Sequence, residues 1–275
     1  MLKKMIPKAW LPLARRLYGS PHRGAPDVLR GYQNTENRTA LRCVVSYNKY
    51  GGYCVPESAR HRPAAKAILD GDVYEPQTLA YMIANCGNRD IVHAGTFFGD
   101  FLPALSAALH PGALLWAFEP NHENYCCANI TIALNYSENI RLANLGLGAR
   151  SERLFVQTRD SNGLPLGGRS RIVDASDSCE DKDAVQVVSI DDTVPSDRDI
   201  GILQLDVEGY EKKALTGALA TIRRCMPILI LEVWPESTFT TSNWFSENIL
   251  SLGYEKHADI HGNTVFLPRK KWKEG

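Results

Sequence analysis

The chain has 275 residues, of which 44% are hydrophobic, so it is long enough to bury one large core. Lysine plus arginine and aspartate plus glutamate each number 31. A chain without net charge is not drawn to nucleic acid or to an anionic membrane. The composition therefore excludes a polyanion partner chosen by charge and favours an ordinary globular enzyme.

The cysteines and the longest apolar run indicate the compartment. Seven cysteines is an odd number, and no two have the C-x-x-C spacing of a metal site, so we interpret them as reduced thiols of a cytoplasmic protein. The run CMPILIL at 225–231 is far shorter than the roughly 18 residues of a bilayer span. We therefore expect no stable membrane span, and the sequence leaves a homo-oligomer open.

Residues 1–89 predict an N-terminal α+β extension made of a helix, a β-hairpin and a second helix, which would shape the acceptor site. The basic start MLKKMIPKAWLPLARRLYG favours a docking helix over contact with a membrane surface, because prolines interrupt it. The segment 40–57 indicates two strands around a glycine-containing turn, and 75–87 indicates a helix with Pro76 in its first turn.

From residue 90 to 275, short apolar runs alternate with helical patterns, which is typical of a Rossmann-like α/β domain. The predicted core strands are 90–95, 113–120, 140–146, 200–209 and 227–234. The predicted helices are 102–110, 122–135, 210–225 and 243–253. Runs at 153–159 and 184–190 suggest an inserted hairpin or an edge element, and 254–268 suggests an antiparallel hairpin that closes a mostly parallel, seven-stranded sheet.

The segment 159–184 is rich in glycine, proline and charged residues and predicts a long loop. Two interpretations stay open: a mobile insertion without function, or a lid over the substrate.

Two glycines and an acid indicate a nucleotide-like ligand. Gly95 and Gly99 follow the strand 90–95 directly, where a side chain would obstruct the ligand or the tight turn, although a plain helix start has the same spacing. Glu119 ends the next strand about 20 residues later and can accept both ribose hydroxyls, unless it is merely exposed to solvent.

The residues after Glu119 mark the end of its strand: Pro120 breaks that strand, and Asn121 can cap the next helix. Without a G-x-G-x-x-G sequence, the pattern favours S-adenosylmethionine over a dinucleotide.

Acidic residues end two further strands. Asp206 and Glu208 stand in LQLDVEGYE at the edge of the sheet that faces the ligand crevice. They can hold a substrate hydroxyl, remove its proton or bind a cation, and Glu208 can alternatively cap the next helix. Glu232 ends the neighbouring strand within reach of Asp206. No third ligand follows from the spacing, so we assign no metal site.

With these residues the chain resembles the FkbM-type methyltransferases over roughly 90–267. The segments VHAGTFFGD, AFEPNHENYCCANITIALN and LQLDVEGYEKKALTGA are similar to three motifs of that family. The resemblance implies a class I methyltransferase fold, S-adenosylmethionine as cofactor, and O-methylation of sugars or natural-product hydroxyls. It also implies that Gly95 and Gly99 hold the methionine end of the cofactor, that Glu119 holds its ribose, and that the acceptor pocket lies near Asp206 and Glu208.

One position departs from the family's pattern. His93 stands two residues before the first glycine, where the family commonly has aspartate. His93 can keep a hydrogen-bonding role or be a plain core histidine, and Asp100, Thr96, Glu75 and Thr78 can take over the amino-acid end of the cofactor. The expected cofactor-binding residues are thus Glu75, Thr78, His93, Gly95, Thr96, Gly99, Asp100, Glu119, Pro120, Asn121 and Asp206.

Methyl transfer needs an aligned acceptor and, for an alcohol, a base, and we expect Asp206 to be that base with Glu208 beside it. The acceptor would be a small molecule or a glycan. The rivals are an N-methyltransferase, a catalytically degenerate methyltransferase fold that serves as a binding module, and an NAD-dependent oxidoreductase.

Overall fold

The computed structural model describes residues 40–159, 166–173, 184–234 and 236–269. The predicted docking helix at the basic start of the chain and two stretches of the 159–184 loop lie outside these residues. None of the described helices is long and apolar enough to cross a bilayer.

The strands alternate with short helices along most of the described chain. The strands are β1 Cys43–Asn48, β2 Gly51–Pro56, β3 Asp90–Ala94, β4 Leu115–Phe118, β5 Ile140–Ala143, β6 Gly146–Leu147, β7 Glu152–Gln157, β8 Arg171–Val173, β9 Ala184–Val188, β10 Ile200–Leu205, β11 Ile228–Glu232, β12 Tyr254–Ile260 and β13 Asn263–Pro268. The α-helices are α1 Pro63–Leu69, α2 Pro76–Asn85, α3 Leu102–Ala108, α4 His122–Leu134, α5 Ile190–Thr193, α6 Glu211–Thr216, α7 Leu219–Cys225 and α8 Asn243–Asn248. Short 3-10 turns occupy Glu57–Ala59, Gly167–Arg169, Phe239–Thr241 and Leu250–Leu252.

The main sheet of the described residues has seven strands in the order β12-β13-β11-β10-β3-β4-β5. The neighbours from β11 to β5 pair in parallel, while β13 pairs antiparallel with both β11 and β12. Every residue of β3, β4 and β10 is buried, as expected for parallel strands that are covered on both faces. The order and the closing hairpin confirm the predicted Rossmann-like class I fold.

A second sheet of four strands, in the order β6-β9-β7-β8, lies apart from the main one. The runs at 153–159 and 184–190 pair antiparallel with each other in it, so they form neither an edge of the main sheet nor a simple hairpin. The predicted strand 140–146 accordingly ends at Ala143, and the chain passes into the second sheet at Gly146.

The β1–β2 hairpin packs on the same core as the main sheet. Tyr53, Cys54 and Val55 are fully buried within the hydrophobic cluster that also contains Ile91 and Leu115. Two hydrogen bonds join the hairpin to the end of α4. Asn135 Oδ1 accepts from Gly52 N at 2.9 Å, and Thr131 Oγ1 accepts from Cys54 N at 3.0 Å.

Candidate active site

The strand order reverses between β3 and β10, and this point defines the crevice. From β3 the chain proceeds to β4 and β5 on one side, whereas β10 leads to β11 on the other. Ligands of open α/β sheets bind beyond the carboxyl ends of the strands at such a point. Asp206 N donates to Ala94 O at 3.1 Å, which joins the two chain segments as they leave the sheet.

Both predicted glycines have a conformation that requires glycine. Gly95 has a φ of +81°, and a Cβ there would lie 1.9 Å from Asp206 O. Gly99 has a φ of +86°, and its Cβ would lie 2.9 Å from Leu102 Cδ1. At Gly95 it is therefore the backbone of the neighbouring strand end, rather than a ligand, that excludes a side chain in this structure.

Glu119 is 4% exposed and fixes the glycine loop to the start of α4. Its Oε2 accepts from Phe97 N at 2.7 Å, and its Oε1 accepts from Asn121 N at 2.8 Å and from Asn124 Nδ2 at 3.4 Å. Burial raises the pKa of Glu119 to about 7 although these hydrogen bonds lower it. A solvent-exposed role for Glu119 is thus excluded.

Asn121 caps α4, as predicted. Its Oδ1 accepts from Glu123 N at 3.0 Å and from Asn124 N at 3.2 Å, so it satisfies two amides of the first turn. Pro120 precedes it, and Asn144 Nδ2 donates to the carbonyl oxygen of Pro120 at 3.0 Å. The start of α4 is therefore held from both sides.

A described part of the long loop, 166–170, packs against this end of the sheet. Asn121 Nδ2 donates to Ser170 Oγ at 3.1 Å, and Ser170 Oγ donates to Gly167 O at 2.7 Å. A Cβ at Gly168 would lie 3.5 Å from the ring of Phe97. Arg62 Nη2 donates to Leu166 O from the other side. This part of the loop is tied to the residues around Glu119.

His93 is buried and neutral. Its Nδ1 donates to Gln204 Oε1 on the adjacent strand, its ring stacks on Phe101 with centroids 5.8 Å apart, and burial lowers its pKa to about 4. Its Nε2 is buried and has no hydrogen-bond partner among the described residues. Thr96, also buried, donates to His93 O at 3.3 Å. His93 therefore has the packing of a core histidine and one acceptor nitrogen left over.

The other three residues considered for the amino-acid end are divided between the loop and the C-terminal hairpin. Asp100 ends the glycine loop, and burial, with a contribution from the charge of Glu75, raises its pKa to about 7. Glu75 Oε2 accepts from Asn263 Nδ2 at 2.7 Å. Thr78 Oγ1 donates to Ile260 O at 3.4 Å. Glu75 thus acts electrostatically on Asp100, whereas the contacts of Thr78 are to the hairpin.

Three carboxylates meet at the ends of β10 and β11. One oxygen each from Asp206, Glu208 and Glu232 lies within 4.8 Å of the others. Leu205 and Leu231 are register partners in the parallel pair, so the next residue of each chain segment, Asp206 and Glu232, lies beside the other. Glu208 joins them through a left-handed backbone, with a φ of 53°.

The capping role considered for Glu208 is not found. The helix α6 begins at Glu211 without a side-chain cap, and the amide of Gly209 donates to Glu211 Oε1 at 3.0 Å. A bulky residue in the left-handed region is strained, and such strain is concentrated at functional sites.

The cluster carries a large excess of negative charge. Burial, followed by a hydrogen bond between the carboxyl groups of Asp206 and Glu232 and by the charges of Glu232 and Glu208, raises the pKa of Asp206 well above its ordinary range. Burial and Glu232 raise the pKa of Glu208 to about 7, against the lowering influence of Arg169 and Arg62. The site favours a ligand that brings positive charge or exchangeable protons.

Sequence reasoning missed the residues that support this arrangement from other elements. Asn124 bonds Glu119 from within α4, and Gln204 bonds His93 across two strands. Glu232, by contrast, was predicted to lie within reach of Asp206 from its position at the end of a neighbouring strand, and the structure brings the two together.

A family model described as "Methyltransferase FkbM domain" matches residues 85–259, which is more than half of the chain. No curated protein matches the sequence.

Several solved structures are similar to the chain. The crystal structure of Methyltransferase FkbM from Methylobacillus flagellatus KT is 19% identical with a TM-score of 0.45, and the match covers 65% of this chain and 43% of that one. The chain thus spans less than half of that protein. Pyrococcus abyssi tRNA (uracil-54, C5)-methyltransferase in complex with S-adenosyl-L-homocysteine is 11% identical over 82% of this chain and 44% of its own, with a TM-score of 0.41. M. jannaschii TYW2 in complex with AdoMet is 12% identical over 84% and 86%, with a TM-score of 0.42.

Proposed function

Because the chain belongs to the FkbM family of S-adenosylmethionine-dependent methyltransferases, we propose that it transfers the methyl group to a hydroxyl oxygen of a sugar, a glycan or a small natural product. The observation that carries this proposal is the meeting of the glycine loop with the acid cluster. Gly95 approaches the backbone of Asp206 so closely that no side chain fits between them. A methyl donor bound along the loop would therefore present its methyl group beside the carboxylates.

The charge of the cleft supports a cationic cofactor. Asp100 and Glu119 are buried, and the pKa of each is raised to about 7, so neither has a full counter-charge in the free protein. S-adenosylmethionine brings an ammonium and a sulfonium group. We place its ammonium near Asp100, with Thr96, His93, Glu75 and Thr78 around it.

The ribose would bind at Glu119. Oε2 accepts one backbone N–H in the free protein and keeps a second lone pair for a ribose hydroxyl, and a hydroxyl at Oε1 would replace the long bond of 3.4 Å from Asn124 Nδ2. Pro120 and Asn121 would border the base. The cofactor site would thus extend from the glycine loop to the start of α4.

The acceptor oxygen would be aligned and deprotonated at Asp206. Methyl transfer is an in-line displacement, so most of the catalytic effect is alignment and exclusion of water. The carbon–sulfur bond breaks as the oxygen–carbon bond forms, and the hydroxyl proton passes to a carboxylate. Burial raises the pKa of Asp206 and so makes its carboxylate a stronger proton acceptor, which suits a general base. Glu208, held in its strained conformation, would orient the hydroxyl.

The cytoplasmic location and the small-molecule or glycan partner belong to the same proposal. The cysteines among the described residues, six in number, are free thiols, as expected in a reducing compartment.

The first experiment is calorimetric binding of S-adenosylmethionine to the wild type, Glu119→Gln and Glu123→Gln. Glu123 lies in the same first turn of α4, but its Oε2 accepts from the hydroxyl of Ser58 at 2.6 Å rather than from an amide of the glycine loop. We expect the affinity to fall at least about tenfold in Glu119→Gln, because a charged acceptor of two hydroxyls is lost, and to change little in Glu123→Gln. Absence of binding by the wild type would favour the binding-module alternative.

The second experiment tests the acceptor atom. The protein is incubated with cofactor that carries an isotopically labelled methyl group and a panel of sugars and hydroxylated metabolites, and the product is examined by NMR. We expect an O-methyl signal that Asp206→Asn loses while it still binds the cofactor. An N-methyl product would overturn the hydroxyl acceptor and leave the methyltransferase assignment unchanged.

A further inference from the structure

In the acid cluster of Asp206, Glu208 and Glu232, the carboxyl groups of Asp206 and Glu232 face each other, and two of their oxygen atoms have no donor from the other described residues. Asp206 Oδ1 and Glu232 Oε2 each expose less than 1 Å² and have no hydrogen-bond partner among the described residues. A buried carboxylate oxygen without a donor is costly, and native proteins seldom leave one. Two such oxygens in one cluster require a bound proton or a bound cation.

Among the described residues, the ion pairs join other groups, and none of them includes Asp206, Glu208 or Glu232. Arg62 and Arg169 lower the pKa of Glu208, so their charge reaches that side of the cluster. The neighbours with the largest influence on Asp206 are further carboxyl groups: Glu232, Glu208 and Glu75.

The spacing of the oxygens suits one small cation. Metal–oxygen distances of about 2.0–2.6 Å place the ligands of one Mg²⁺, Mn²⁺ or Ca²⁺ no more than roughly 4–5 Å apart. One oxygen from each of the three residues already lies within 4.8 Å of the other two. The ligands come from two adjacent strand ends in fixed register, so the set is formed before any ion arrives.

We propose that Asp206, Glu208 and Glu232 bind one divalent cation of the hard, oxygen-preferring class, such as Mg²⁺ or Mn²⁺. Sequence spacing could not name a third ligand, and Glu208 is that ligand. Mg²⁺ bound by carboxylates keeps several water molecules, so positions remain on the ion for other oxygens.

The consequence for the acceptor rests on the proposed function. Two oxygens on neighbouring carbons could replace two of these water molecules, which would hold the acceptor in one orientation beside the glycine loop. A cation also favours the deprotonated form of a coordinated hydroxyl. The acceptor class that the cluster would select is a compound with adjacent hydroxyls, or with a hydroxyl next to a carbonyl.

The test is equilibrium binding of Mn²⁺ to the full chain without cofactor or acceptor, followed by the loss of the free-ion signal in electron paramagnetic resonance. We expect one Mn²⁺ per chain, displaced by Mg²⁺. Glu232→Gln should weaken binding at least about tenfold, because ligand charge sets the affinity of such sites. Glu236→Gln is the matched control: Glu236 is an exposed acid four residues further along the chain, and its removal should leave the affinity unchanged.

Folding of the variants is checked by binding of S-adenosylmethionine, which Glu232→Gln should retain, and Glu208→Gln serves as a second ligand variant. Failure of the wild type to bind Mn²⁺ at millimolar concentration would overturn the proposal, and so would equal affinities of the wild type and Glu232→Gln. In either case a proton occupies the cluster instead. Because neither readout uses methyl transfer, failure of the ion site and failure of the proposed function are distinguished.

Discussion

At the scale of single residues, Asp100 and Glu119 are acids kept in the core beside the glycine loop. Their ordinary pKa values are 3.8 and 4.5, and burial raises each to about 7. A carboxyl with a raised pKa destabilises the free protein progressively as the pH rises from its ordinary pKa to about 7, since burial disfavours the ionised form. A cationic ligand reverses the preference, because it stabilises the ionised form.

The affinity for S-adenosylmethionine should therefore fall as the pH is lowered through 7. Each acid that must ionise on binding weakens the affinity by about tenfold per pH unit below its pKa. We expect calorimetry at pH 6 to give at least roughly tenfold weaker binding than at pH 8, with protons released at the lower pH. Asp100→Asn should bind more weakly and release fewer protons. Equal wild-type affinities at both pH values would show that neither acid ionises on binding.

Gly95 is the position in the site at which we expect no side chain to be tolerated. Gly95→Ala should destabilise the protein by at least about 2 kcal/mol more than Gly71→Ala does, and should abolish cofactor binding. Both positions have a positive φ, +81° and +85°, but only the new Cβ at Gly95 would meet Asp206 O, whereas Gly71 faces open space. Chemical denaturation of both variants gives the comparison, and similar losses of stability would mean that the strand end moves freely.

At the scale of elements, the sequence predicts the strands of the main sheet because continuous apolar runs and fully buried parallel strands coincide, as in 90–95 and 200–209. The sequence does not predict where a helix or a strand is interrupted. The predicted helix 210–225 divides into α6 and α7 at Gly217, where a Cβ would lie 2.0 Å from Gly148 O. That oxygen belongs to a distant part of the chain, and no local pattern contains it. The helix α1 was not predicted either.

The same limit applies to the site. The sequence predicts that Glu119, Asp206 and Glu208 belong to the site, because they stand at the ends of predicted strands. It does not predict Gln204 and Asn124, since their contacts with His93 and Glu119 depend on tertiary packing. Asn121 was predictable as a cap because capping is local, but its second bond, to Ser170, comes from the long loop.

The segment 166–170 gives a test of the lid alternative. Ser170→Ala removes the acceptor of Asn121 Nδ2 and the donor to Gly167 O, while Asn121 keeps its cap. If these bonds stabilise the closed loop by about 1 kcal/mol, their loss should accelerate dissociation of S-adenosylmethionine roughly fivefold. Stopped-flow measurement gives the dissociation rate. Ser251→Ala removes a hydroxyl that bonds Glu247 O in an exposed turn and serves as control. An unchanged dissociation rate would favour the interpretation as an insertion without function.

At the scale of the molecule, the β1–β2 hairpin and the sheet share one core, and Thr131 of α4 bonds both the hairpin and the glycine loop. Thr131 is completely buried. Its Oγ1 accepts from Cys54 N of the hairpin at 3.0 Å and donates to Phe98 O of the glycine loop at 3.0 Å. The hairpin and the glycine loop are thus connected through the helix α4.

Thr131→Val keeps the shape of the side chain and leaves both backbone groups without a partner, which should cost roughly 2–5 kcal/mol. Thr216→Val, at an exposed hydroxyl that bonds Lys212 O, should cost far less. Native-state hydrogen exchange locates the effect. If hairpin and sheet unfold together, the amides of Val55 and Leu203 lose equal protection in Thr131→Val, whereas the amide of Cys54 loses its own acceptor in either case. A loss of protection confined to the hairpin would show that the hairpin opens alone, and the link through Thr131 would then be local.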